Sequence, residues 1–372
     1  MKSLGVDRFF GRLAEDQRAA SAGKTLLRQL LLILAAMVLT SLFLLLTGYD
    51  PFIVFKAIYQ SVSRDIGGTV RWMIPYGLMG LAVALTFRMN LFNMGVDGQL
   101  YLGAIGATYI SMKLGDAPHA VAILATLAFA ILAGALYAVV PALLKIKLNC
   151  DEVVVTILLN YVAYYFTDYC VLGPMLGDGT LANARSTNYI PENAWLTKLS
   201  WLGDSNATTG LYIMLAVLIG MAFLFYKTRL GYELKVCGAN RDFARYGGMN
   251  VGKVILTAMI LSGAIAGATG AVEVMGIHHR FPIRFSNQIG NDGVVIALLA
   301  NNNPFGILLT SFFFAALKNG SNIMQRIADV PSSLIDVVRG IIIFTISARF
   351  TVNLLRGRRK AAKAPGKKGG EA

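Results

Sequence analysis

Residues 29–49, 205–226 and 254–272 contain no charged side chain, and each of these runs is rich in Leu, Ile, Val, Ala and Gly. A hydrocarbon core of about 30 Å is crossed by roughly 20 apolar helical residues, so runs of this length constrain the chain to a membrane. The composition agrees: 56% of the 372 residues are hydrophobic and only 15% are charged, more apolar surface than one soluble core of this size can hide. A membrane barrel needs short alternating segments. These runs are continuous, and the fold class expected is all-α.

Apolar runs bounded by charges and turn residues predict spans at 30–47, 72–87, 98–112, 120–144, 153–172, 210–226, 251–275 and 334–352. Two shorter pieces, 293–300 and 304–317, flank the polar break Asn301-Asn302-Asn303. The expectation is a polytopic membrane protein with about ten transmembrane elements, two of them short. The first run has no small-residue cleavage site after it and reads as a retained span. Three divisions follow: an N-terminal tail, 1–28; a transmembrane domain, 29–355; and a basic, Gly-rich C-terminal tail, 356–372.

The net charge of +14 could suggest nucleic acid, but its distribution argues for lipid. Most of the 34 Lys and Arg residues fall in the two tails and in the segments 88–97, 145–152 and 227–253. The positive-inside tendency then places both termini in the cytoplasm and the polar segment 173–209 outside. Trp195, Trp201, Pro174 and Pro191 make that segment a natural docking surface for an external protein, or a simple loop.

A faint internal repeat is visible. Gly95-Val96-Asp97-Gly98 and Gly290-Asn291-Asp292-Gly293 each open an apolar run, 195 residues apart. Paired interrupted helices are a frequent way of building a solute path near the bilayer midplane. Gly263 and Gly267, with Gly103, Ala104, Gly106 and Ala107, supply the small-residue spacing that close helix packing needs.

No GxxxxGK[ST], HExxH or GxSxG motif occurs, so neither ATP hydrolysis nor other catalysis is expected of this chain. Cys150, Cys170 and Cys237 form no CxxC pair, and His278 and His279 alone make a poor metal site. Asp97, Asp151, Glu152, Asp168, Glu273 and Asp292 read as lying near span ends, which disfavours a carrier driven by an ion gradient.

Neutral polar solutes need uncharged donors and acceptors along their path. Asn93, Gln99 and Asn160 are candidates, with Asp97 and Asp292 opening the repeated elements. The plainer reading makes the aspartates helix caps and the amides bridges between spans. The segment 227–250 is too polar to span. Within it Asn240 can cap a short helix that places Phe243 and Tyr246 on one face and ends at Gly247 and Gly248. An interfacial helix with its aromatics among headgroups is the alternative.

The stretch from Gly231 through Gly238, Asn240 and Gly248 resembles the cytoplasmic loop of bacterial ABC importer permeases of the ribose, nucleoside and branched-chain amino acid group. The stretches Asn90 to Gln99, Asn149 to Tyr161, Ser262 to Gly267 and Asp292 to Gly306 agree with it, so the resemblance runs from about residue 70 to 350. Asn149 and Glu152-Val153, with Leu159-Asn160-Tyr161, resemble the nucleoside and simple-sugar branch. Asp97 stands where Glu is common, Cys150 follows Asn149, and Arg339 replaces a neutral polar residue.

The resemblance implies a bacterial inner-membrane permease subunit with no cofactor of its own, moving a solute by alternating access. It implies three partners: a cytoplasmic ATP-binding subunit that uses ATP and Mg, an extracytoplasmic substrate-binding protein, and a second permease, the same or a sister chain. Membrane lipid surrounds the assembly and nucleic acid has no part in it. Gly231, Gly238, Asn240, Phe243, Ala244, Tyr246 and Gly248 would then couple the permease to the ATPase. A branched-chain amino acid permease, an ion-driven secondary transporter and a membrane scaffold are the rival readings.

Overall fold

The structure is a computed structural model, and it describes residues 37–328, apart from 204 and 287, together with 337, 340 and 341. The expected span 334–352, both tails and Arg339 lie outside the described residues or barely touch them. The chain divides into two compact units, Gln60–Asn319 and a second made of Met1–Tyr59 with Gly320–Ala372. In the second, α1 (Met37–Leu46) is a short apolar helix, and Gly320 lies against the backbone of Ile58.

Among the described residues the chain is helical, and β pairing is confined to two isolated bridges, Ser186 with Pro282 and Lys198 with Thr208. After α2 (Pro51–Ser63) come α3 (Ile66–Phe87), α4 (Val96–Leu114), α5 (His119–Leu148) and α6 (Glu152–Leu172). The 173–209 segment holds one helical turn, α7 (Thr180–Asn183), and two 3-10 turns. Then follow α8 (Gly210–Lys227), α9 (Arg229–Ala239), α10 (Arg241–Tyr246), α11 (Val251–Glu273), α12 (Ile289–Leu299) and α13 (Pro304–Ala328).

Among the described residues, five helices are long and apolar enough to cross a membrane: α3, α5, α6, α8, and α11 with its π-helical continuation to His278. They differ in what surrounds them. The apolar stretch of α3 is 83% buried within the protein and that of α6 only 22%. Apolar side chains that protein leaves uncovered must face another apolar phase, so α3 and α11 form the bundle core and α5, α6 and α8 its rim. The protein is a multi-pass membrane protein.

Small residues hold the core together. A Cβ on Gly267 would collide with the backbone of Ala130, one on Gly103 with Gly267, and one on Gly134 with Gly263. These glycines let α4, α5 and α11 approach backbone to backbone, the contact that the Gly263/Gly267 spacing predicts.

Several boundaries differ from the sequence reading. α3 starts six residues before position 72 because Asp65 caps it, accepting from the Gly68 amide at 2.9 Å. α13 is not short: it runs 25 residues, through Lys318 and Arg326, where the sequence reading stopped at the first charge. Glu273 does not sit at a wet span end. The helix continues past it, its side chain is buried, and it pairs with Arg71 at 2.9 Å.

The 173–209 segment is tied to the π-helical continuation of α11 and to the residues just after it. Backbone amides of Thr187, Ile190 and Leu196 donate to the carbonyls of Phe281, His279 and Met275. Trp195 stacks on His279 with ring centroids 3.9 Å apart, so it serves this packing, whereas Trp201 is exposed.

Candidate functional site

After α3 ends, residues 88–95 do not start a new helix at once. Met94 donates its amide to Thr156 Oγ1 at 3.2 Å and its carbonyl accepts from Asn160 Nδ2 at 2.8 Å, so the segment climbs along α6. Asp97 meets Tyr164, twelve residues into α6, which is about 18 Å along that helix at 1.5 Å per residue. Sequence reasoning counted Asp97 with a cytoplasmic segment. The structure buries it inside the bundle.

From the opposite end, residues 280–286 descend from the 173–209 segment, and α12 begins just after Ser286 meets Asp97. Gly290 donates its amide to Asp97 Oδ1 at 3.0 Å, and Ser286 Oγ donates to the same oxygen at 3.1 Å. The two Gly-x-Asp-Gly motifs are thereby joined. Asp97 lies in the first turn of α4, yet its carboxylate caps α12, where backbone amides and the helix dipole favour a negative group. Around it Tyr164 donates to Asp97 Oδ2, Tyr101 OH accepts from the Ser286 amide at 3.3 Å, and the Tyr101 and Tyr164 rings meet edge to face at 4.9 Å. Asp292, also in the first turn of α12, is buried.

The broken backbone needs partners, since lipid offers none. Asn160 accepts from the Gly98 amide at 2.8 Å while donating to Met94, so both halves of its amide serve the start of α4. Asn93 donates to Ser262 Oγ at 3.1 Å and Gln99 Oε1 at 3.2 Å and accepts from the Gly95 amide at 3.0 Å. In this conformation Asn93, Gln99 and Asn160 are engaged with the protein itself. Sequence reasoning missed Ser286, Tyr164 and Tyr101, which carry no motif and reach Asp97 only through the fold.

Beyond α8 the chain forms a hairpin of two short helices. Thr228 caps α9, and Gly231 passes so close to the carbonyl of Leu224 that a Cβ would collide with it. Asn240 caps α10, its Oδ1 accepting from the amides of Asp242 at 2.9 Å and Phe243 at 3.0 Å. α10 ends at Gly247, and Gly248 has φ +77°. Ala244 is fully buried against the hairpin, while Phe243 is 65% and Tyr246 93% exposed. Gly238 is held against the backbone of Arg88 and Met89, the start of the climbing segment.

Two helices, α4 and α12, that start from a buried polar junction, in a multi-pass helical bundle with a polar hairpin at one end, define a membrane permease in architecture. The chain belongs to the family described as the permease component of the branched-chain amino acid transport system, whose model matches residues 66–347. It is 33% identical to the guanosine ABC transporter permease protein NupP of Bacillus subtilis, over 90% of this chain and 97% of the relative. It is 30% identical to the nucleoside ABC transporter permease protein NupB of Lactococcus lactis, over 90% and 94%. It is 32% identical to the glucose ABC transporter permease protein TsgB13 of Haloferax volcanii, over 86% and 87%. As a permease subunit it is a transport component, not an enzyme.

Proposed function

We propose that this chain is the permease subunit of an ATP-driven importer that passes a nucleoside or simple sugar across a bacterial inner membrane. The observation that carries the reading is likeness over nearly the whole chain to permeases named for guanosine, nucleosides and glucose. A solute of that kind is neutral and rich in hydroxyls, which suits a bundle whose buried polar groups are mostly amides and hydroxyls.

The hairpin α9–α10 is the contact for a cytoplasmic ATP-binding subunit, which binds ATP and Mg. Exposed Phe243 and Tyr246 on a capped, rigid helix are the aromatic knobs such a contact uses. The 173–209 segment receives the extracytoplasmic binding protein, and a second permease copy or sister chain completes the passage. Ten membrane elements with both termini cytoplasmic fit the basic residues of 227–253 and of the two tails. Asn93, Asp97, Gln99, Asn160 and Asp292 frame the point where the path must open, which requires bonds that they make within the protein to exchange for solute bonds.

The test is uptake by proteoliposomes holding the whole complex, with radiolabelled guanosine and glucose as probes. Uptake that requires ATP, stops with vanadate and survives ionophores is the expected result. Uptake that ignores ATP and collapses with an ionophore overturns the reading in favour of a gradient-driven carrier.

A further inference from the structure

The hairpin and the buried junction are not separate features. Asn90 stands between them, with φ 51°, a left-handed conformation that Asn and Gly adopt most easily. Its Nδ2 donates to the Gly238 carbonyl at 2.6 Å, and its own carbonyl accepts from Arg241 Nη2 at 3.2 Å. One residue therefore clasps the last turn of α9 and the first residue of α10. Gly238, which has no room for a Cβ, presses the same turn onto Arg88 and Met89. Arg88 in turn lays its guanidinium over Phe225, near the end of α8, at 4.2 Å.

Seven residues beyond Asn90 lies Asp97. The chain between them is not slack, because each part of it is fastened: Asn93 to Ser262 and Gln99, Met94 to Thr156 and Asn160, Asp97 to Tyr164, Ser286 and Gly290. A displacement of the hairpin thus pulls on a short, non-helical stretch that ends at the first turn of α4, where Asp97 holds the N-terminus of α12.

We propose that residues 88–97 form a linkage transmitting movement of the α9–α10 hairpin to the Asp97–Gly290 junction, with Asn90 as the positioning residue that grips the hairpin. This rests on reading the hairpin as the ATPase contact. A non-helical stretch suits such transmission, since it moves lengthwise without unwinding a helix and the discrete bonds at its end can exchange between two arrangements. The linkage deepens the roles of Gly238, Asn240 and Asp97, and gives a role to Asn90, Arg241 and Ser286.

The test uses the full complex, with Ser286→Cys placed in a background lacking Cys150, Cys170 and Cys237. Labelling of that cysteine by a small methanethiosulfonate is measured with and without vanadate trapping of the ATPase. Asn90→Gly keeps the left-handed backbone and removes the clasp. In it, complex assembly and ATP hydrolysis are expected within about twofold of the parent, while the vanadate-dependent change in labelling falls by about tenfold. Arg241→Ala, which removes the other arm, shifts labelling in the same direction. An undiminished change in Asn90→Gly overturns the linkage, and so does loss of assembly together with hydrolysis, which marks a purely structural clasp.

Guanosine uptake per ATP hydrolysed supplies a second measurement should Ser286→Cys assemble poorly. A fall of about tenfold in Asn90→Gly supports the linkage, and an unchanged ratio contradicts it. Phe243→Asp separates the hairpin's contact from the linkage behind it. If it leaves the ATPase bound and coupled, the hairpin reading itself has failed; if it uncouples while Asn90→Gly does not, only the linkage has.

Discussion

At the scale of single residues, the determinants of the site are side chains that complete backbone left open by a broken helix. Asn160 accepts from the Gly98 amide with its oxygen and donates an N–H to the Met94 carbonyl, and the buried Gly98 amide has no water as an alternative. Asn160→Leu is expected to lower stability by about 1–3 kcal/mol, because both backbone groups lose their partner. Asn160→Gln, which keeps an amide oxygen for Gly98 and an amide N–H for Met94, costs less. Thermal denaturation of the detergent-solubilised complex measures both; equal losses, or none, show that the bonds to α4 do not matter. The difference between legible and illegible residues is sharpest here. Asn240 could be read as a cap because its partners, Asp242 and Phe243, are two and three residues away. Asp97 could not be placed, because its partners Tyr164, Ser286 and Gly290 are brought in by the fold from 67 to 193 residues along the chain.

At the scale of helices, apolar length and small-residue spacing carried most of the information. The runs at 210–226 and 251–275 became α8 and α11 within a few residues of the expected bounds, since a helix in lipid must satisfy its own backbone and so extends as far as its apolar run. Charges misled where the bundle pairs them: Arg71 with Glu273 lies inside, and a rule that ends spans at charges cut α3 short. The glycine contacts predict a sharp contrast. Gly267→Val drives a side chain into Ala130 and is expected to cost at least about 2 kcal/mol and to abolish assembly of the complex. Gly220→Ala, at a position with nothing within 4 Å, is expected to stay within about 0.5 kcal/mol of the parent. Size-exclusion profiles and melting curves of the two variants report this directly, and similar behaviour of both removes close packing of α4, α5 and α11 as the organising contact.

At the scale of the whole molecule, one end of the unit Gln60–Asn319 presents a capped hairpin, and its interior holds a polar junction between the starts of α4 and α12. The faint four-residue repeat in the sequence marks that junction, although nothing in the sequence says that its two copies touch. The hairpin was legible because its polarity, its cap and its terminal glycines are local features; what it grips, the segment after α3, is not. The proposed coupling requires the hairpin to work against a partner, and in that proposal Phe243, exposed at the middle of α10, is the residue on which the requirement falls. The most direct measurement is therefore the yield of ATPase copurifying with Phe243→Asp, and the guanosine uptake of that complex in proteoliposomes, against the parent chain. The expected variant inserts in the membrane normally but loses the ATPase or hydrolyses ATP without uptake. Normal copurification with normal ATP-driven uptake would contradict the role given to the hairpin.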